Sequence, residues 1–215
     1  MNTADKKQSI LVWDMPVRVF HWLLAISFAG AWLTCESEML QMVHYAFGYA
    51  ACVLVFFRLV WGFVGSRYAR FAEFVKGPTE VIEHLKSIGS ATAPPHIGHN
   101  PAGGWVMLAL MGLILLVGLS GYWIVKEFFA NWMSELHEVL AIVALALVVI
   151  HIVAALVMSF LQKENLVRSM FTGHKQGSGD QSIKYPMYYV GAGLAIAWAY
   201  AFYLVVSGSV PWLTQ

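Results

Sequence analysis

Five long apolar runs separated by polar stretches organise this chain, at Val17–Thr34, His44–Gly65, Gly104–Val125, Leu136–Leu161 and Pro186–Val205. A lipid-spanning helix needs roughly 17 to 25 predominantly apolar residues. Each run meets that length, the first with the help of its preceding turn. No stretch alternates with period two, and only helices or closed barrels satisfy the backbone inside lipid. The pattern predicts an all-α integral membrane protein, a bundle of five transmembrane helices. Between the second and third spans, "GPTEVIEHLKSI" predicts a short amphipathic helix with Pro78 in its first turn, lying under the bundle. "GHKQGSGDQSIK" predicts a flexible linker by its Gly, Ser and polar content. No internal repeat is present.

Composition agrees with the spans. Of 215 residues 59% are hydrophobic and 12% charged, half the charge of about 25% usual in a soluble domain. The net charge of +1 argues against a nucleic-acid partner. The N-terminus lacks the long apolar region and small-residue cleavage site of a removable signal peptide, so the first span is expected to act as the insertion signal. The cysteines, Cys35 and Cys52, form no C-x-x-C-H. That excludes covalently attached c-type haem, and the pair is expected to stay free.

Lys and Arg distribution sets the orientation. Lys6, Lys7 and Arg18 lie at the N-terminus; Arg67, Arg70, Lys76 and Lys86 follow the second span; Lys163, Arg168, Lys175 and Lys184 follow the fourth. On the other side "CESEMLQMV" has no basic residue and "KEFFANWMSE" only Lys126. The N-terminus is expected in the cytoplasm and the C-terminus outside.

Four of eight histidines, His21, His44, His137 and His151, fall within spans. Ionisable groups at membrane depth are costly and usually serve a function, although any one alone fits a hydrogen-bonded packing histidine equally well. Together they say more. His137 and His151 are separated by about 21 Å along the helix axis and about 40° around it, so they share a face, one near each membrane surface. The first span runs outward and the second inward. His21 therefore joins His151 at the inner level, and His44 joins His137 at the outer. Two imidazoles at each of two depths fit haem b, whose iron has two axial positions that histidine fills. A small residue follows each histidine by four, at Ala25, Gly48, Ala141 and Ala155, on the same helix face, where a flat macrocycle could lie. A bare ion such as zinc wants three or four converging ligands and fits poorly.

Haem carboxylates need cationic or polar partners. Arg18 and Arg58 are inner-level candidates, with Lys126 and Trp105 behind them; Arg58 has the equal alternative of snorkelling to the interface. Ligand histidines donate their second ring nitrogen to an acceptor, which near His137 could be Ser134, Glu135, Glu138 or a backbone carbonyl. His84, His96, His99 and His174 fall in inner loops and are expected to be solvated.

The stretches "VWDMPVRVFHW", "HYAFGY", "FRLVWGFVGSRYARF", "ELHEVLAIVALALVVIHI" and "KENLVRSMFTGHK" together resemble the bacterial cytochrome b-561 family, which includes the b-type cytochrome subunits of membrane-bound nickel–iron hydrogenases. The resemblance covers about residues 11 to 176. It implies a four-helix domain over residues 1–176 holding two haems b. It also implies electron transfer between the quinone pool and a periplasmic redox partner in a respiratory chain at the bacterial inner membrane. Carried over residue by residue, the ligands are His21, His44, His137 and His151. Residues 177–185 would then be a linker and 186–215 the fifth helix with its tail. That helix departs from the core of four, so the partner stays open between a c-type cytochrome and a hydrogenase-like enzyme subunit. Two rivals remain: a self-contained oxidoreductase such as a superoxide:quinone oxidoreductase, and a haem-free transporter or scaffold using its histidines for protons or an ion.

Overall fold

A computed structural model describes residues 8–89 and 96–213; Lys6 and Lys7, and residues 90–95 of the predicted inner segment, lie outside it. In chain order come β1 (Gln8–Leu11), α1 (Met15–Thr34), α2 (Gln41–Val64), the single turn α3 (Phe71–Phe74), α4 (Pro78–Gly89) and α5 (Pro101–Val125). They are followed by α6 (Ala130–Gln162), α7 (Leu166–Thr172), β2 (His174–Gly177) and α8 (Tyr188–Val206). Among the described residues five helices are long and apolar enough to cross a membrane, and each covers one predicted span except for Gly65 after α2 and residues 186 and 187 before α8. The amphipathic segment forms α4, as its pattern predicts.

Local chemistry sets the helix ends. Asp14 caps α1, its Oδ1 accepting from the Val17 amide at 2.8 Å, and Pro16 occupies the first turn, where a missing N–H costs nothing. Asn100 and Pro101 start α5 the same way, Asn100 Oδ1 accepting from the Gly103 amide at 2.7 Å. Helix α6 begins several residues before its apolar run and is bracketed by Phe129 and Lys163, both in the left-handed region. Cys35 and Cys52 are free thiols, as expected.

The spans pack as two hairpins, α1 with α2 and α5 with α6, joined along α2 and α5, while α8 lies against α1 and α2. Phe20, Ala51, Leu54, Val55, Met111, Ile114 and Leu194 fill the interior shared by α1, α2, α5 and α8. Most of α6 stays exposed, with Val139, Ile142, Val149, Ile152 and Leu156 facing outward. An apolar exposed face of that length suits lipid.

The expected flexible linker is ordered instead. Strand β2 pairs antiparallel with β1 in the register Gln8↔Gly177 to Leu11↔His174. The chain beyond it is bonded back: Leu11 donates to Ser182 Oγ at 3.2 Å, Ile183 donates to the Leu11 carbonyl at 2.9 Å and Met15 to the Pro186 carbonyl at 2.7 Å. Tyr68 Oη donates to the Gln181 carbonyl at 2.8 Å. Ile10, Val12, Trp13, Val17, Tyr68, Ala69 and Ile183 form a second apolar cluster beneath. Composition reads only local preference, and here the tertiary pairing overrides it. This clasp closes the end of the bundle that carries the loop arginines and lysines, the basic end.

Candidate functional site

The helices bring the four span histidines together two by two. The His21 and His151 ring centroids are 6.4 Å apart with planes at 51°, and those of His44 and His137 are 6.2 Å apart at 69°. An imidazole nitrogen binds a first-row metal at about 2.0 Å and lies about 1.2 Å from its ring centroid, so two rings gripping one ion from opposite sides have centroids roughly 6.4 Å apart. Both pairs match that spacing. Each pair spans two hairpins: α6 supplies His137 and His151, α1 supplies His21, and α2 supplies His44.

In the pair away from the basic end, the second ring nitrogens are already held. His44 Nδ1 lies 2.8 Å from the Ala31 carbonyl. His137 Nδ1 lies 3.0 Å from both the Val117 carbonyl and Ser120 Oγ. Carbonyl acceptors fix Nδ1 as the protonated nitrogen and leave the Nε2 lone pair for a metal. The acceptor for His137 therefore comes from α5, across the hairpin, and a carbonyl was among the predicted choices.

Beside this pair lies a cavity of 310 Å³ whose walls include Ala31, His44, Gly48, Gly118, Gly121 and His137. A side chain at Gly48 would meet nothing within 4 Å, whereas one at Gly121 would approach the His137 ring at 3.2 Å. The small residue four after His44 thus borders open space, as a flat macrocycle requires, and the residues present fit a haem. Among the described residues no group of three or more His, Cys, Asp or Glu could hold a metal ion.

At the basic end the polar atoms are unusual. Arg58 is 1% exposed. Its Nη2 donates to the Ala69 carbonyl at 2.9 Å, and its guanidinium lies 5.4 Å from the Phe71 centroid and 5.8 Å from that of Phe74. Its Nε and Nη1 have no partner; nor do Arg18 Nε, His21 Nδ1 or His99 Nδ1, all shielded from solvent. Arg58 is therefore held inside and does not snorkel. Trp105 donates to the Lys76 carbonyl at 2.9 Å, which ties α5 to the loop ahead of α4. Lys126 stacks on Tyr122 at 5.7 Å.

Three of the loop histidines are less exposed than expected, His84 buried and His96 and His99 half-buried. His99 packs its ring on Trp13 at 4.8 Å and on Phe74 at 4.9 Å. Burial pushes its pKa down to about 3, with Arg58, His151, Lys175 and His21 adding to the effect. His84 is 5% exposed and lies 5.1 Å from the half-buried His96; burial lowers both. His174 is exposed as predicted.

The chain matches the family model described as "Prokaryotic cytochrome b561" over residues 12–173. Among known proteins, the "Probable Ni/Fe-hydrogenase B-type cytochrome subunit" of Rhizobium leguminosarum bv. viciae is 24% identical, covering 80% of this chain and 91% of the relative. The protein of that name from Rhodobacter capsulatus is 22% identical, over 84% and 87%. That from Azotobacter vinelandii is 28% identical, over 47% and 53%. No solved structure matches the chain. With a family match that takes in all four paired histidines, Arg18, Arg58 and His99, the chain belongs to the prokaryotic cytochrome b561 family.

Proposed function

We propose that this cytochrome is a transmembrane electron conduit holding two haems b, one between His21 and His151 and one between His44 and His137. It would link the quinone pool with a periplasmic redox partner in a respiratory chain at the bacterial inner membrane. The observation that carries the reading is the pair of imidazole separations, 6.4 and 6.2 Å, at two depths about 21 Å apart along α6. When bound, the two groups supply reversible one-electron carriage at those depths.

The chain does the rest. The Ala31 and Val117 carbonyls orient His44 and His137 and raise their basicity as ligands. The exposed aliphatic face of α6 and the core along α1, α2 and α5 keep water away, which sets a low dielectric around both sites. Arg18 and Arg58 are the partners for the carboxylates of the inner group. The residues that do this fall within 1–176, while 177–185 connect to the fifth helix in 186–215.

Charge supports the orientation. Arg67, Arg70, Lys76, Lys163, Arg168, Lys175 and Lys184 share the basic end with β1, which by the positive-inside rule is cytoplasmic, with the C-terminus periplasmic. The relatives named as hydrogenase cytochrome subunits favour an enzyme subunit as the partner, with a c-type cytochrome as the other candidate. The test is the reduced-minus-oxidised spectrum of the purified protein with haem per chain quantified. Two low-spin haems b per chain are expected; a colourless preparation ends the reading.

A further inference from the structure

Arg58 presents a physical problem that the fold alone does not solve. A guanidinium is always charged, and an unpaired buried charge is strongly destabilising. Arg58 has one carbonyl acceptor and two unpartnered nitrogens. The nearby carboxylate, Asp14, is engaged elsewhere, accepting from the Val17 amide at 2.8 Å and from Trp61 Nε1 at 3.0 Å. No ion pair among the described residues includes Arg58. Two shielded guanidinium nitrogens are thus left open to an acceptor from outside the chain.

His99 completes it. Its ring and the Arg58 guanidinium both pack on Phe74, and its Nδ1 is shielded and without a partner. Asn100 as cap and Pro101 in the first turn of α5 fix the backbone directly after it, so the ring is held ready. Trp13, against which the ring packs, lies two residues ahead of α1, so His99 sits at the end of the bundle that carries His21 and His151. An always-charged donor and an imidazole nitrogen, side by side at that end, suit a carboxylate.

We propose that Arg58 and His99 together bind one carboxylate of the haem held by His21 and His151, Arg58 through charge and His99 through an Nδ1–H hydrogen bond. This rests on the two-haem reading above. His99 is a cofactor-positioning residue: by drawing negative charge off the edge of the macrocycle it favours the reduced iron and so raises the potential of the inner group, while the outer group is too distant to respond.

The test is a redox titration of the full-length haem-loaded protein, resolving the two haems, with haem per chain measured alongside. His99→Phe keeps the ring packing and removes the donor. It is expected to lower the inner midpoint potential by about a tenfold change in the reduction equilibrium, ~59 mV for one electron, with the outer potential unmoved. His99→Gln restores a donor and is expected to recover most of that shift. If His99→Phe does not accumulate, His99→Leu is read in its place. An unchanged inner potential in the donor-free variant overturns the inference, as does an equal shift in His99→Gln, which would mark a packing role. Loss of quinone reduction at unchanged potential also overturns it and assigns the nitrogen to a quinone oxygen. Absence of haem from the wild type would instead overturn the two-haem reading.

Discussion

Trp198 Nε1 donates to Ser27 Oγ at 2.8 Å, pinning the fifth transmembrane helix to the first at a depth between the two histidine pairs. Ser27 is fully buried, so the bond removes a polar atom that would otherwise face an apolar core. Trp198→Phe leaves that hydroxyl stranded and is expected to cost about 1 kcal/mol, within the range of polar contacts between membrane helices. A double-mutant cycle with Ser27→Ala in unfolding measurements checks the coupling; strict additivity would show that the bond contributes nothing.

Each histidine pair is expected to fail on its own. His44→Ala or His137→Ala removes one axial ligand, and the protein should retain one haem per chain, still held by His21 and His151. His21→Ala should give the complementary result. Unchanged haem content in the His44 and His137 double replacement rules out that pair as ligands.

Two glycines separate room for a cofactor from room for a helix. Gly48→Leu enters open space beside His44, and should leave the helices packed while reducing outer haem content at least about tenfold, as a side chain there takes the volume of the ring. Gly30→Ala drives a methyl into the Phe47 ring, where α1 crosses α2, and should destabilise the fold by about 1–3 kcal/mol. Haem per chain and melting temperature read the two effects apart; a Gly48→Leu protein with full haem would place the macrocycle elsewhere.

Acid should loosen the amphipathic helix. His84 and His96 both have folded pKa values below the ordinary 6.5, through burial, and for His96 also through His84 and Lys175. Groups depressed in this way contribute stability that is fully present above 6.5 and is lost as pH falls, since the unfolded chain then takes up protons that the folded one refuses. The protection factors of amides in α4, with the slower chemical exchange of acid solution divided out, should fall between pH 6.5 and 5. His84→Gln should flatten the profile. A flat wild-type profile would sink this account.

Much of the molecule was legible because lipid imposes strong rules. The spans followed from apolar length, and the pairing of His21 with His151 and of His44 with His137 from depth and helix geometry. Arg58 was legible as a charge inside a span, though its direction was not, because snorkelling and burial start from the same sequence position. His99 was misread because loop membership predicts exposure, while its packing depends on Trp13 and Phe74, distant in sequence. The strands were invisible for a related reason: "QSIL" and "HKQG" are too short to show a period, and what stabilises each is the other, more than 160 residues away.

That pairing fixes the order in which the molecule can be completed during synthesis. Ile10 gains Lys175 opposite it and Ile183 beside it only once those residues have left the ribosome, so β1 must wait, without its strand partner, for a segment made about 160 residues later. Until then the basic end of the bundle is open, and a shortened chain ending before His174 would never shut it.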